Sequence, residues 1–136
     1  MSALLVNRLA DLVVTRKVAI PPVLPKVLIQ LHESHGTRDK NKAIRGGDQV
    51  DLGSVAHPLI VVFLEKLRRD QLLLAAWSNR LLRGGEHTAH SHPRGGDSHV
   101  LYVASEHDQG GVLVLWDGMQ EMTIDPKPGT LTVFSP

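Results

Sequence analysis

Four of the eight histidines in this chain fall within residues 84–103, GGEHTAHSHPRGGDSHVLYV, together with Glu86 and Asp97. Side chains two apart on an extended strand share a face, so His90 and His92 are expected to point together. Thr88 and Glu86 lie further along that face. Two imidazoles so placed can share one metal ion. Imidazole suits Fe, Zn, Cu or Ni, and a third ligand from another strand would complete a facial site. Asp97 and His99 form a second pair of the same spacing after the PRGG turn, so Glu86, Asp97 and His99 are the possible substitute ligands. His87 points the other way on a regular strand. The competing reading is a solvated, glycine-flanked turn that Asp97 helps to stabilise. Of the other histidines, His32, His35 and His57 read as surface or capping residues, and His107 as a hairpin-loop residue.

The elements that must position these groups change character along the chain. Leu4, Leu5, Leu9 and Val13 lie near helical spacing, which predicts a helix over 3–13, followed by a strand over 16–20. Pro25, with Val27, Leu28 and Leu31 on one face and Gly36 as a stop, predicts a second helix. Residues 37–50, TRDKNKAIRGGDQV, are polar and glycine-containing and read as a surface loop. A third helix opens at Ser54 or His57, has Pro58 early, and repeats Leu59, Phe63 and Leu67. Lys66, Arg68 and Arg69 suit its negative end. From residue 71 onward the runs LLLAAWSNRLL, EHTAHSH, HVLYVAS, GVLVLWD, EMTID and TLTVFS are strand-like and separated by Gly, Pro and Asp, as in an antiparallel sandwich or barrel. Trp77 and Trp116 read as core or barrel-wall residues. The expectation is one α+β domain over 1–136, with a mainly helical support region in 1–70 and a β half in 71–136.

Bulk properties narrow the function classes. A chain of 136 residues that is 42% apolar and 21% charged has the makeup of a soluble domain. Its net charge of +1 gives no basic footprint for nucleic acid. With no cysteine, disulfides and thiolate metal sites are excluded, so a metal would be held by His, Asp or Glu. Arg8 and Asp11 interrupt the apolar start, which lacks the pattern of a signal peptide. No run approaches the ~20 apolar residues of a membrane span. The expected location is cytoplasmic, with no membrane or nucleic-acid partner.

The order of features around the histidines is more specific than the H-x-H spacing alone. Trp77 and Asn79 come first, then His90, His92 and Pro93, then Ser98, Val100 and Tyr102. Gly110 and Gly111 follow in a hairpin, and Pro126, Gly129, Leu131 and Phe134 close the series. This series resembles the prolyl-hydroxylase-like Fe(II)/2-oxoglutarate-dependent oxygenases, in the subfamily that reads W-x-N, H-x-H-P, S-G-V-Y-Y, G-G and P-x-x-G-x-L-x-x-F-P. The likeness covers roughly residues 44–136, since IRGGDQVDL and HPLIVVFLEKL look like the segment before this core. His92 stands at the carboxylate position of the usual H-x-D pair, although H-x-H fits the subfamily; the chain departs from the pattern at His99 for Gly, at Leu101 for Tyr, and at FSP for FPS.

The resemblance implies helices packed on a double-stranded β-helix, or jelly roll, with Fe(II) and 2-oxoglutarate as cofactors and O2 and an unidentified substrate as partners. It makes His90 and His92 the metal ligands, with no catalytic residue beyond the ligands, and lets Tyr102 reach the cosubstrate. In that family a distal His and then an Arg follow the F-P segment. This chain stops at Pro136, so a C-terminally truncated, incomplete jelly roll with impaired activity is expected. Its open edge would be covered by a second copy or another partner. Two alternatives remain. Gly84, His90, His92 and Asp97 also resemble the first cupin motif, which implies a cupin-type metal-binding protein. A non-enzymatic jelly-roll interaction module would leave the histidines without a metal.

Overall fold

A computed structural model describes residues 12–37, 44–87, 96–105, 111–116 and 118–134. Their elements, in chain order, are β1 (Val13–Lys17), α1 (Leu24–His35), β2 (Ile44–Asp51), α2 (Leu52–Val55), α3 (Pro58–Arg68), β3 (Trp77–His87), β4 (Ser98–Leu101), β5 (Leu113–Trp116), β6 (Glu121–Ile124) and β7 (Thr130–Phe134). Helices and antiparallel sheets are both present, so the class is α+β. The chain divides into two compact units: Met1–Pro21 with His90–Pro136, and the intervening Pro22–Ala89. Among the described residues no helix is long and apolar enough to cross a membrane.

In the intervening unit, α1 begins without a side-chain cap, but Pro25 in its first turn removes a backbone donor that would lack a partner there. Leu24, Val27, Leu31 and His32 form its buried stripe, at i, i+3, i+7 and i+8. It ends where Gly36 donates its N–H to the His32 carbonyl. Asp51 caps α2 by accepting from the Gly53 N–H at 3.0 Å and from Ser54 Oγ at 3.0 Å. His57 caps α3 through Nδ1, 3.2 Å from the Leu59 N–H, and Pro58 takes the first position. Ile60 is the buried residue of α3, with Leu59, Phe63, Leu64 and Leu67 half-buried around it. The expected Leu59–Phe63–Leu67 stripe is therefore there, centred one residue along.

β2 and β3 form an antiparallel pair. The 37–50 segment thus departs from the expected loop: from Ile44 onward it is strand, and Gly47, Asp48 and Val50 are buried. Its polar makeup hid this, because Asp48 is buried as one half of an ion pair rather than as an apolar side chain. The register shifts between Arg45 and Gly47, around Gly46 at φ +68°. At Gly47 a Cβ would fall 2.0 Å from the Arg80 carbonyl oxygen, so only glycine fits between the strands. β3, expected to begin the β half of the chain, pairs with β2.

In the other unit β7 is the middle strand of a three-stranded sheet, β1–β7–β4, antiparallel throughout. Leu131 and Thr132 are successive and both fully buried. Neighbouring strand residues face opposite ways, so both faces of the sheet are covered at that point. The strand expected at 16–20 lies three residues earlier, Val13–Lys17, and the helix expected at 3–13 falls mostly outside the described residues. β5 and β6 form a hairpin in which Leu115 and Ile124 are buried. The tryptophans differ from expectation. Trp116 is 71% exposed and Trp77 is 47% exposed. Alternation explains Trp116: Leu113 and Leu115 turn inward, so Val114 and Trp116 turn outward, which an unbroken apolar run does not reveal.

Candidate functional site

His90 and His92 lie outside the described residues, as do Pro93, His107 and Gly110. The substitute ligands can be placed. Glu86 is on β3, exposed, with Arg45 of β2 at 3.5 Å. Asp97 precedes β4 and His99 lies on it opposite Val133, and both are exposed. Among the described residues no three His, Asp or Glu side chains converge as a metal cluster.

Tyr102 follows β4, with its backbone N–H bonded to the Thr130 carbonyl. Its hydroxyl donates to the Gly111 carbonyl at 2.6 Å, which ties the end of β4 to the start of the β5–β6 hairpin. Burial raises the Tyr102 pKa, so the group remains a neutral donor. Other members of the series have local roles. Asn79 accepts from Gln49 Nε2 at 2.8 Å across the β2–β3 pair. Gly129, at φ +87°, makes the turn that admits Leu131 to the core of its sheet.

The densest polar arrangement among the described residues is one the sequence reading missed. His32, expected at the surface or as a cap, is 4% exposed. It stands on the buried stripe of α1, over the face of β2 and β3 that carries Asp48, Ser78 and Arg80. His32 Nδ1 lies 2.5 Å from Asp48 Oδ1, and Nε2 lies 2.8 Å from Ser78 Oγ. Arg80, directly opposite Asp48 in the strand register, grips the same carboxylate through Nε at 3.2 Å and Nη2 at 2.5 Å. Two-residue alternation brings Ser78 and Arg80 to one face of β3. The only sequence signal was position: His32 follows Leu24, Val27 and Leu31 at helical spacing, which places it on the buried side.

The charges follow from the contacts. Burial alone would raise the Asp48 pKa, but the hydrogen bonds from Arg80 and His32 outweigh it and hold the carboxyl below its ordinary value. Burial lowers the His32 pKa, and Asp48 only partly opposes that. A carboxylate can only accept, so His32 Nδ1 carries the proton. Nε2 then presents its lone pair to Ser78, whose hydroxyl donates. The result is a row of side chains, Arg80–Asp48–His32–Ser78, with every short contact satisfied.

No protein-family model, no curated protein and no solved structure matches the chain.

Proposed function

We propose that the chain carries an oxygenase core of the Fe(II)/2-oxoglutarate type, built on a jelly roll. The observation that supports this best is a nested pairing. β4 and β7 pair in one sheet, while β5 and β6, which lie between them in sequence, pair with each other in a second. A jelly roll has this pattern, because a long antiparallel ribbon folds over so that its outer and inner strands enter different sheets. Of the residues in the series, Ser98 and Val100 lie on β4 and Leu131 and Phe134 on β7.

The donor chemistry of the chain fits a borderline divalent metal. His90 and His92 supply two imidazoles, and no thiolate competes. Glu86, Asp97 and His99 are the candidates for the third ligand. Fe(II) with 2-oxoglutarate and O2 would supply oxidation of an unactivated C–H bond. The protein's part is to hold the metal through His90 and His92 and to orient the bound groups. For Tyr102 to bind the cosubstrate, its hydroxyl would exchange the Gly111 carbonyl for a carboxylate oxygen.

Anaerobic titration of the chain with Fe(II) and 2-oxoglutarate tests the reading. A weak visible chelate band is expected, and it should vanish in the His90→Ala, His92→Ala double variant. A band unchanged by that double substitution would sink the assignment. Metal binding indifferent to 2-oxoglutarate would point instead to the cupin-type alternative.

A further inference from the structure

The Arg80–Asp48–His32–Ser78 row has no part in the metal chemistry proposed above. Its geometry is that of a serine served by an oriented base. Ser78 Oγ is 2.8 Å from His32 Nε2, and the other ring nitrogen is 2.5 Å from the Asp48 carboxylate. Serine is a weak nucleophile until an adjacent base takes its proton, and the base works when a third group fixes its tautomer. Asp48 does that here, and Arg80 holds Asp48 at two points. Exposure is graded along the row. His32 and Asp48 are 4% and 3% exposed, whereas Ser78 and Arg80 are only half-buried. Ser78 is thus more open to solvent than the base and its orienting carboxylate. Three elements hold the row, with His32 on α1, Asp48 on β2, and Ser78 with Arg80 on β3.

We propose that Ser78 is an activated nucleophile that accepts a small acyl group from an ester. Its Oγ bonds to the carbonyl carbon while its proton passes to His32 Nε2. The adduct then collapses by breaking the bond to the leaving oxygen, which takes that proton and departs as an alcohol. Water deprotonated at the same Nε2 cleaves the acyl-Ser78 ester, releasing a carboxylic acid and restoring the hydroxyl. No oxidant or reductant enters. A half-buried hydroxyl within a strand restricts the acyl group to a small one such as acetyl.

The full chain contains its own control. Ser34 Oγ lies 2.8 Å from Nδ1 of His35, in an exposed pair on the surface of α1. The chain is treated with p-nitrophenyl acetate, and acetylation is followed by peptide mass spectrometry at both serines. Ser78 is expected to acetylate about 100-fold faster than Ser34, the gain typical of a positioned general base. Because burial keeps His32 neutral, that rate should hold level near pH 7 and fall only below the ordinary imidazole value of 6.5. In Ser78→Ala the fast phase of nitrophenol release should disappear. Equal labelling of the two serines, acetyl on amines alone, or a Ser78 rate that rises with pH like free hydroxide would each overturn the proposal. All three outcomes are read on folded wild-type protein, so a variant that fails to fold does not protect the idea.

Discussion

Asp48 carries the charge on which the buried row depends. It is 3% exposed and bound on two sides, by His32 and by Arg80. Removing one partner of a buried pair leaves the other charge uncompensated, which costs far more than the pair contributes. Arg80→Met should therefore lower stability by about 3 kcal/mol in urea denaturation, while Arg45→Met, in an exposed pair with Glu86, should change it by less than about 1 kcal/mol. The pH dependence has a defined sign. His32 has a folded pKa below its ordinary 6.5, so from that pH downward the unfolded chain gains the proton first and stability falls. Asp48, held below its ordinary 3.8, adds stability above that value, lost as pH falls from there. His32→Gln should remove the first loss and leave the second. Denaturation midpoints measured between about pH 7 and about pH 5 will show whether the wild-type decline flattens in the variant. Apart from the helical spacing that puts His32 on the buried side of α1, none of this was legible at the residue level. A histidine among leucines, an aspartate between glycine and glutamine, and a serine beside tryptophan acquire meaning only when chain segments 16 and 46 residues apart meet.

At the scale of elements, legibility followed hydropathy. α1 and α3 were readable because Pro25, Gly36, His57 and Pro58 mark their ends and the apolar stripe lies between them. β5, β6 and β7 were readable as apolar runs between turn residues. β2 was not, because RGGDQVD has a loop's composition and a strand's pairing. Its glycines serve close approach rather than flexibility. Gly47→Ala would set a methyl group 2.0 Å from the Arg80 carbonyl and force the strands apart. The expected loss is about 3 kcal/mol, at the upper end for overpacking. Because Arg80 lies directly opposite Asp48, the same substitution should weaken their contact. Comparison with Gly118→Ala separates close approach from backbone strain. Gly118, unlike Gly47, has positive φ, and nothing lies within 4 Å of its Cβ position, so only strain is felt there. His90 and His92 lie among residues that the structure does not describe, and their reading still rests on spacing and resemblance.

For the whole molecule, the informative fact is that one compact unit is made of two separated pieces, joined where β1 pairs with β7. The other unit is continuous, and its strand pair closes over a much shorter stretch of chain. Contacts remote in sequence carry a larger loop-closure cost before they return anything. Amides of β2 and β3 should therefore gain protection before those of β1 and β7 during refolding, as pulse-labelled hydrogen exchange can measure. Protection of β1 first would contradict this order. Synthesis on the ribosome gives the same topology a further consequence. β1 emerges early and its partner β7 late, roughly five to twenty seconds later at ordinary rates for about a hundred residues. Through that interval Val13, Val14 and Thr15 are an unclaimed strand, open to any other nascent edge nearby. Arg16 and Lys17 sit immediately beside them, and adjacent positive charges discourage such mispairing. The two cations thus act as guardians of an unfinished strand while its partner is still being made.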